Sequence, residues 1–292
     1  MLAWIAYGVV AVVWGSTYFA IAVGIESFTP YGMVASRYLL AGVAALGLSR
    51  LAGEPLPSRE EVRHLVVQGA LLLSVSNALV TWAEKEVASS VAAVICSITP
   101  LLYGLMGGER LDARGWGGLL LGVAGVAILV NPLGGAMKLT GVFAILLATV
   151  VWAWGTLHGR RHVKGRGLFG QVAVQMLAGG TIGLVAAPLT GGFLHHPLTW
   201  RAGLAVLYLM VFGSLAAYSA FIYLARAWPP SKMGTYAYLN PLVAVLLGVA
   251  FLHEPFNLRM ALGMAVILAA VALVQIRPKV PAKILPKLLQ EG

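Results

Sequence analysis

Arg37 stands seven residues past Pro30 inside an apolar run. It is the only formally charged residue well inside any predicted membrane helix. At 1.5 Å rise per residue it lies about 10 Å into that helix. A guanidinium at the bilayer centre costs about 2.5–3.5 kcal/mol on insertion scales, so its presence needs a reason. Two roles suit it: binding the carboxylate of a substrate, or a structural role bonded to carbonyls and hydroxyls.

Four sets of polar and aromatic residues occur at comparable depth. One helix carries Trp14, Ser16, Thr17 and Tyr18. Another carries Ser74, Asn77, Thr81 and Trp82, of which 74, 77 and 81 share one helical face. A third carries Trp152, Trp154, Thr156 and His158, and a last pair supplies Ser214, Tyr218, Ser219, Tyr236, Tyr238 and Asn240. Lipid offers no hydrogen-bond partners, so such groups face other helices or a wet cavity. Together they suit a zwitterion with a variable side chain. The aromatics supply stacking and apolar area, and the polar groups orient the amine and carboxylate. The plainer role of each Ser or Thr is an interhelical or backbone hydrogen bond. Trp4, Trp116, Trp200 and Trp228 lie near helix ends and read as interface anchors.

The elements that must hold these residues follow from composition. Of the 292 residues 60% are hydrophobic and only 10% charged. A soluble domain carries about 25% charged residues. Ten predominantly apolar segments are long enough to cross a membrane: 2–25, 31–49, 64–83, 88–107, 115–131, 140–158, 168–189, 202–225, 232–252 and 260–276. The expected fold is an all-α polytopic membrane protein of ten transmembrane helices. Of the 20 Lys and Arg, 15 fall on the side of the N-terminus and 4 on the other, with Arg37 inside. The positive-inside bias puts both termini in the cytoplasm. The net charge of +10 is then a basic rim facing anionic headgroups, not a nucleic-acid groove. The N-terminus lacks a signal-peptide pattern and reads as a retained first helix.

One stretch occurs twice. Glu109-Arg-Leu-Asp-Ala-Arg114 and Glu254-Pro-Phe-Asn-Leu-Arg259 match, each ahead of an apolar run and behind a polar-Pro-Leu step. A repeat at half length means two homologous halves. Five helices per half is odd, so the second half enters the membrane from the opposite side. The result is an inverted repeat, with substrate expected between the halves. The expected boundaries are 1–134 and 138–276 for the repeats and 277–292 for a basic cytoplasmic tail. The repeat relates Trp14 to Trp152, Arg37 to Gln175, Gly42 to Gly180 and Asn77 to Tyr218. Pro100 and Pro241 fall inside the fourth and ninth helices, as a pair of kinks that either hinge during opening or stay static.

These features resemble the drug/metabolite transporter superfamily, in its members built from two EamA-type domains. The residues that carry the resemblance are Trp14-Gly15-Ser16, Pro30 with Arg37, and the P-L…E-x-[LF] hinge in both halves. Within that superfamily the chain is most like the YddG-type amino-acid exporters of the bacterial inner membrane. The resemblance implies export of amino acids, often aromatic ones, through a central cavity. It also implies membrane lipids and an amino-acid substrate as partners. Exporters of other metabolites belong to the same superfamily and remain the alternative.

Several functions are not expected. The single Cys96 leaves no pair for a disulfide or a cysteine metal site. No cofactor is expected. No Walker-type glycine loop is present, so ATP hydrolysis is not intrinsic. No nucleophile–base pair is evident, so the chain is not expected to be an enzyme. All ten acidic residues fall in loops or at helix ends. The expectation is therefore that transport does not run through a buried carboxylate.

Overall fold

The computed structural model describes residues 1–87, 89–108, 111–130, 138–165, 167–252 and 257–275. Helices occupy all ten predicted spans. They are α1 (Leu2–Gly24), α2 (Pro30–Leu51), α3 (Arg59–Ala83), α4 (in two pieces, Ser89–Cys96 and Thr99–Met106) and α5 (Ala113–Val130). The second half supplies α6 (Leu139–His162), α7 (Leu168–Leu189), α8 (Trp200–Ala227), α9 (Pro230–Gly234, then Tyr236–Leu252) and α10 (Leu258–Gln275). Six of them, α1–α3 and α6–α8, are single helices long and apolar enough to cross a membrane.

Local sequence explains where helices start. Thr29 caps α2 by accepting from the Gly32 N–H at 3.0 Å, with Pro30 in the first turn. Ser58 and Glu61 form a reciprocal capping box on α3. That box moves the start of α3 five residues ahead of the predicted 64. Two carboxylates cap helices from outside: Glu54 accepts from the Phe169 N–H at 2.7 Å on α7, and Asp112 accepts from the Gly115 N–H at 2.8 Å on α5. Asp112 belongs to the duplicated stretch, whose Glu109 and Glu254 lie outside the described residues.

The packing repeats itself under exchange of the halves. Helix α1 packs on α8 and α9, and α6 packs on α3 and α4. The pairs that contact most extensively, α2 with α7 and α5 with α10, join repeat-related helices. Glycines allow the first of these crossings. A Cβ on Gly42 would stand 3.0 Å from the Leu177 backbone nitrogen, and one on Gly180 would stand 2.7 Å from that of Leu39. Those two glycines are the repeat-related pair read from the sequence. With no hydrophobic drive between helices in lipid, such close backbone approach is a main source of packing.

Two features escaped the sequence. Helices α3 and α8 each contain a π-helical segment, Ala70–Ser76 and Leu209–Ala216, at matching places in the two halves. The fourth helix is broken rather than kinked. Pro100 lies in the first turn of its second piece, because it has no N–H for the Cys96 carbonyl. The Thr99 hydroxyl donates to that carbonyl instead, at 2.6 Å. Pro241 does lie inside a continuous helix, Tyr236–Leu252.

Candidate functional site

A cavity of about 110 Å³ lies in the core of the bundle, walled by α1–α4 of the first half and α6, α8 and α9 of the second. Helix α1 contributes Trp14, Thr17 and Tyr18, and α3 contributes Asn77. Trp152 comes from α6, Tyr218 from α8 and Arg37 from α2. All seven were singled out by type and depth.

The repeat-related tryptophans meet. Trp14 and Trp152 stand edge to face, with centroids 5.3 Å apart, and both touch Phe221. The Trp14 Nε1–H donates to the Gly213 carbonyl at 3.0 Å, inside the π segment of α8. A π turn spaces carbonyls more widely than an α turn, and here one serves a neighbouring helix. The π segment of α3 is used similarly: Asn77 donates through Nδ2 to the Leu72 carbonyl at 2.7 Å. The Trp152 Nε1–H is buried and has no hydrogen-bond partner.

Arg37 is 5% exposed. Its Nε donates to Ser214 Oγ at 3.0 Å, and its guanidinium lies 4.6 Å from the centroid of the Tyr38 ring. No carboxylate pairs with it among the described residues, and its two Nη groups make no hydrogen bond there. A buried cation whose terminal donors border a cavity can bind a carboxylate in bidentate fashion.

Other residues picked from the sequence do not come to this cavity. Trp82 is 41% exposed and Trp154 is 49% exposed, both on the outer surface of the bundle. Each directly follows or precedes an inward-facing residue by a spacing that turns it away on a helix. Tyr238 is buried elsewhere, its hydroxyl donating to the Leu119 carbonyl at 2.9 Å and its ring packed over Gly122 of α5. Ser74 and Thr81 are buried but do not line the cavity. Pro100 and Pro241 sit beside lining residues, Thr99 and Asn240 respectively.

The wall also includes residues not named as candidates: Tyr38, Ser76, Cys96, Thr99 and Thr149. A polar residue directly before a helix-breaking proline was the available signal for Thr99. Tyr38 directly follows Arg37, and both reach the wall. Cys96, read as a core residue, borders the cavity and lies within 3.9 Å of the Thr149 hydroxyl.

Toward the face that carries the N-terminus, a second space of about 330 Å³ is lined by Gln68, Thr156, Arg160, Lys164, Gln175 and Arg226, among others. A polar layer separates the two spaces. Tyr218, on the cavity wall, donates to Gln175, which in turn donates to Gln68 at 2.9 Å. Beside it the Tyr103 hydroxyl donates to Thr156 Oγ1 at 3.2 Å. Each member has at least one hydrogen bond to another, so parting the layer requires new partners such as water or substrate.

One sequence expectation is corrected here. Glu84 does sit at a helix end, as the C-cap of α3, but its side chain is buried and neither oxygen has a hydrogen-bond partner. A carboxylate is therefore present inside the bundle after all. Burial pushes its carboxyl well above the usual carboxylate range.

The profile of the EamA-like transporter family matches the chain twice, over residues 2–131 and 139–276. The chain is 36% identical over 267 residues to the inner membrane transporter YedA of Escherichia coli strain K12, a match covering 90% of this chain and 87% of that one. It is 25% identical over 250 residues to a probable terminal-alkyne amino-acid exporter of Streptantibioticus cattleyicolor, covering 83% of each. A protein of known crystal structure superposes on 99% of this chain and 98% of its own, with a TM-score of 0.76 at 19% identity. That last likeness is one of fold.

Proposed function

Because this chain belongs to the EamA-like transporter family, we propose that its cavity carries amino acids out of the cytoplasm by alternating access. It is a multi-pass membrane transporter. The finer reading places it in a bacterial inner membrane with both termini cytoplasmic. Its range is broad, including aromatic and other neutral amino acids.

The observation that carries the reading is Arg37. A guanidinium buried without a carboxylate, with its terminal donors free beside a cavity, asks for an anion. The orphaned Trp152 N–H adds a donor. The aromatic wall of Trp14, Trp152, Tyr218 and Tyr236 suits side chains of varied size better than a polar wall would. A relative named as an amino-acid exporter agrees with it.

The mechanism follows from the two spaces. The basic vestibule collects a carboxylate-bearing solute from the cytoplasm. The Tyr218–Gln175–Gln68 layer must part for it to reach Arg37. Closure of that layer behind the solute, with opening at the far face, releases it outside. Size supports this order: about 110 Å³ is too small for a large amino acid until the walls move apart.

The test is a counterflow panel of all twenty labelled amino acids in proteoliposomes. Saturable exchange of aromatic and neutral members is the expected result. Exchange of none of them, with exchange of another metabolite class, would replace the substrate reading. Non-saturating flux would replace the carrier mechanism with a channel.

A further inference from the structure

Glu84 is used by nothing described so far. The turn after α3 sends its neighbours outward: Glu86 pairs with Lys138 at 3.0 Å, and Lys85 lies near His195. Glu84 turns inward, 9% exposed, with both oxygens buried and unpartnered. Ala83, directly before it, and Val87, three residues on, belong to a buried cluster with Tyr18, Ala92, Ala93 and Ile145 that is apolar apart from Tyr18. An ionised carboxylate with no hydrogen bond in such a place costs several kcal/mol, so it keeps a proton when nothing compensates it.

The same cluster reaches the cavity: Tyr18 of α1 belongs to it, Cys96 of α4 packs against it, and both line the cavity. Asn240 of α9 lies on the same wall. Lys138, which precedes α6, is committed to Glu86, and α2 places Arg37 and Tyr38 in the wall. Tyr18 therefore joins the cluster beside the buried carboxyl to the space where a solute would bind.

We propose that Glu84 is a proton-binding site coupled to that space, which makes the transporter a proton antiporter. This rests on the amino-acid reading above. With the cavity empty, Glu84 holds its proton. A substrate ammonium arriving from the cytoplasm compensates the carboxylate, the O–H bond breaks and the proton leaves to the cytoplasm. After the substrate departs at the far face, the carboxylate takes a proton from outside. One proton moves in for each amino acid moved out.

Two measurements on the full-length protein decide it. The first needs no substrate: thermal midpoints in detergent from pH 4.5 to 9 for wild type and Glu84→Gln. A folded-state carboxyl held above its unfolded value contributes stability below the unfolded value and loses it as pH rises through the folded one. Wild type should therefore fall relative to Glu84→Gln across that range. A constant difference would overturn the proton site. The second uses proteoliposomes. For one-for-one exchange, each unit of pH gradient supports about tenfold accumulation of substrate. Wild type should show it, while Glu84→Gln should keep counterflow and show none. A variant that still accumulates substrate overturns the coupling. If wild type exchanges no amino acid, the amino-acid reading fails while the melting comparison still judges Glu84. Should Glu84→Gln not fold, Glu84→Met, which suits the apolar surroundings and also removes the titration, carries the same comparison.

A separate cluster supports a second site. His64 of α3 and His158 and His162 of α6 hold one ring nitrogen each within 4.8 Å of one another. His64 Nδ1 is 3.1 Å from His158 Nε2. His162 donates through Nδ1 to the His158 carbonyl at 2.9 Å, which fixes the ring and, in the neutral imidazole, leaves the Nε2 lone pair for a metal. Zinc–nitrogen bonds of about 2.0–2.1 Å in tetrahedral geometry set ligand nitrogens about 3.3–3.4 Å apart. One pair already has that spacing, and the widest must close by about 1.4 Å. We infer that the three imidazoles bind a divalent transition metal of the zinc class with an open fourth position. Such an ion would tie α3 of the first half to α6 of the second beside the vestibule. Calorimetric titration of zinc into the purified protein tests it. Binding should weaken at least tenfold in His162→Ala and survive in the control His195→Ala/His196→Ala. Equal affinity in wild type and in His64→Ala/His158→Ala/His162→Ala would overturn it, as would no binding by wild type.

Discussion

Replacing Arg37 by Met separates a ligand-binding guanidinium from a structural one. The two roles predict opposite patterns. In the folded protein the side chain makes one bond, from Nε to Ser214, and keeps its Nη donors free. Removing it deletes about 1 kcal/mol of hydrogen bonding but also relieves a buried charge that costs about 2.5–3.5 kcal/mol. The melting midpoint of Arg37→Met should therefore not fall. Substrate binding should suffer instead. Charge-assisted bonds to a carboxylate are worth about 1.5–3 kcal/mol, which converts to a KM increase of about 12- to 150-fold. Arg37→Lys keeps the charge without the planar fork and should fall between. Counterflow with an amino-acid amide completes the cycle. Wild type should disfavour the amide by a similar factor, and Arg37→Met should be indifferent to it. A KM within about twofold of wild type, with a lowered melting midpoint, would refute the binding role.

Other substitutions test the rest of the geometry. Trp152→Ala removes the edge-to-face contact with Trp14 and an unpaired donor, about 1–2 kcal/mol together, so KM should rise about tenfold, whereas Trp154→Ala and Trp82→Ala should leave it within about twofold. Tyr218→Phe deletes the bond to Gln175, worth about 1 kcal/mol, and should favour the state open at the N-terminal face about fivefold. The single Cys96 lines the cavity and reports this as faster labelling by a membrane-impermeant maleimide added to that face. Gly180→Leu drives a side chain into the Leu39 backbone and should abolish the assembled, monodisperse protein, while Gly47→Leu, which meets nothing within 4 Å, should be neutral by size-exclusion chromatography.

The sequence carried the architecture because lipid leaves few choices. Twenty-residue apolar runs can only be spanning helices, and a matched stretch at half length can only be a second copy of the same unit. The reciprocal Gly42 and Gly180 crossings were legible as repeat-related small residues. Depth and residue type found Trp14, Trp152, Arg37 and Tyr218, because polar groups in a bilayer must turn inward. Orientation around the helix was harder. Near mid-bundle, Trp152 and Trp154 differ by two residues and point apart, one to the cavity and one to the surface. Tyr238 turned inward, but toward α5. Glu84 was misjudged for a different reason: a place just past a helix end says nothing about which way the turn aims the side chain.

The irregular backbone explains why the cavity lies where it does. Among the described residues the two halves share two departures from regular α-helix, a π segment in α3 or α8 and a proline in α4 or α9. Non-helical backbone survives at membrane depth only where protein or a wet cavity covers it. All four departures are inside the bundle, and each places a neighbour on the cavity wall: Asn77, Gly213, Thr99 and Asn240. Proline at 241 also removes the helical donor from the carbonyl of Ala237, another wall residue. Polar backbone released in this way needs partners that can be exchanged as the walls move, and side chains such as Thr99 and Asn77 supply them. The inverted repeat doubles the device, so a rearrangement that opens one face has its counterpart at the other. A site assembled from paired irregularities is thus both the place where a solute can be held and the place where the two halves can most cheaply change their fit.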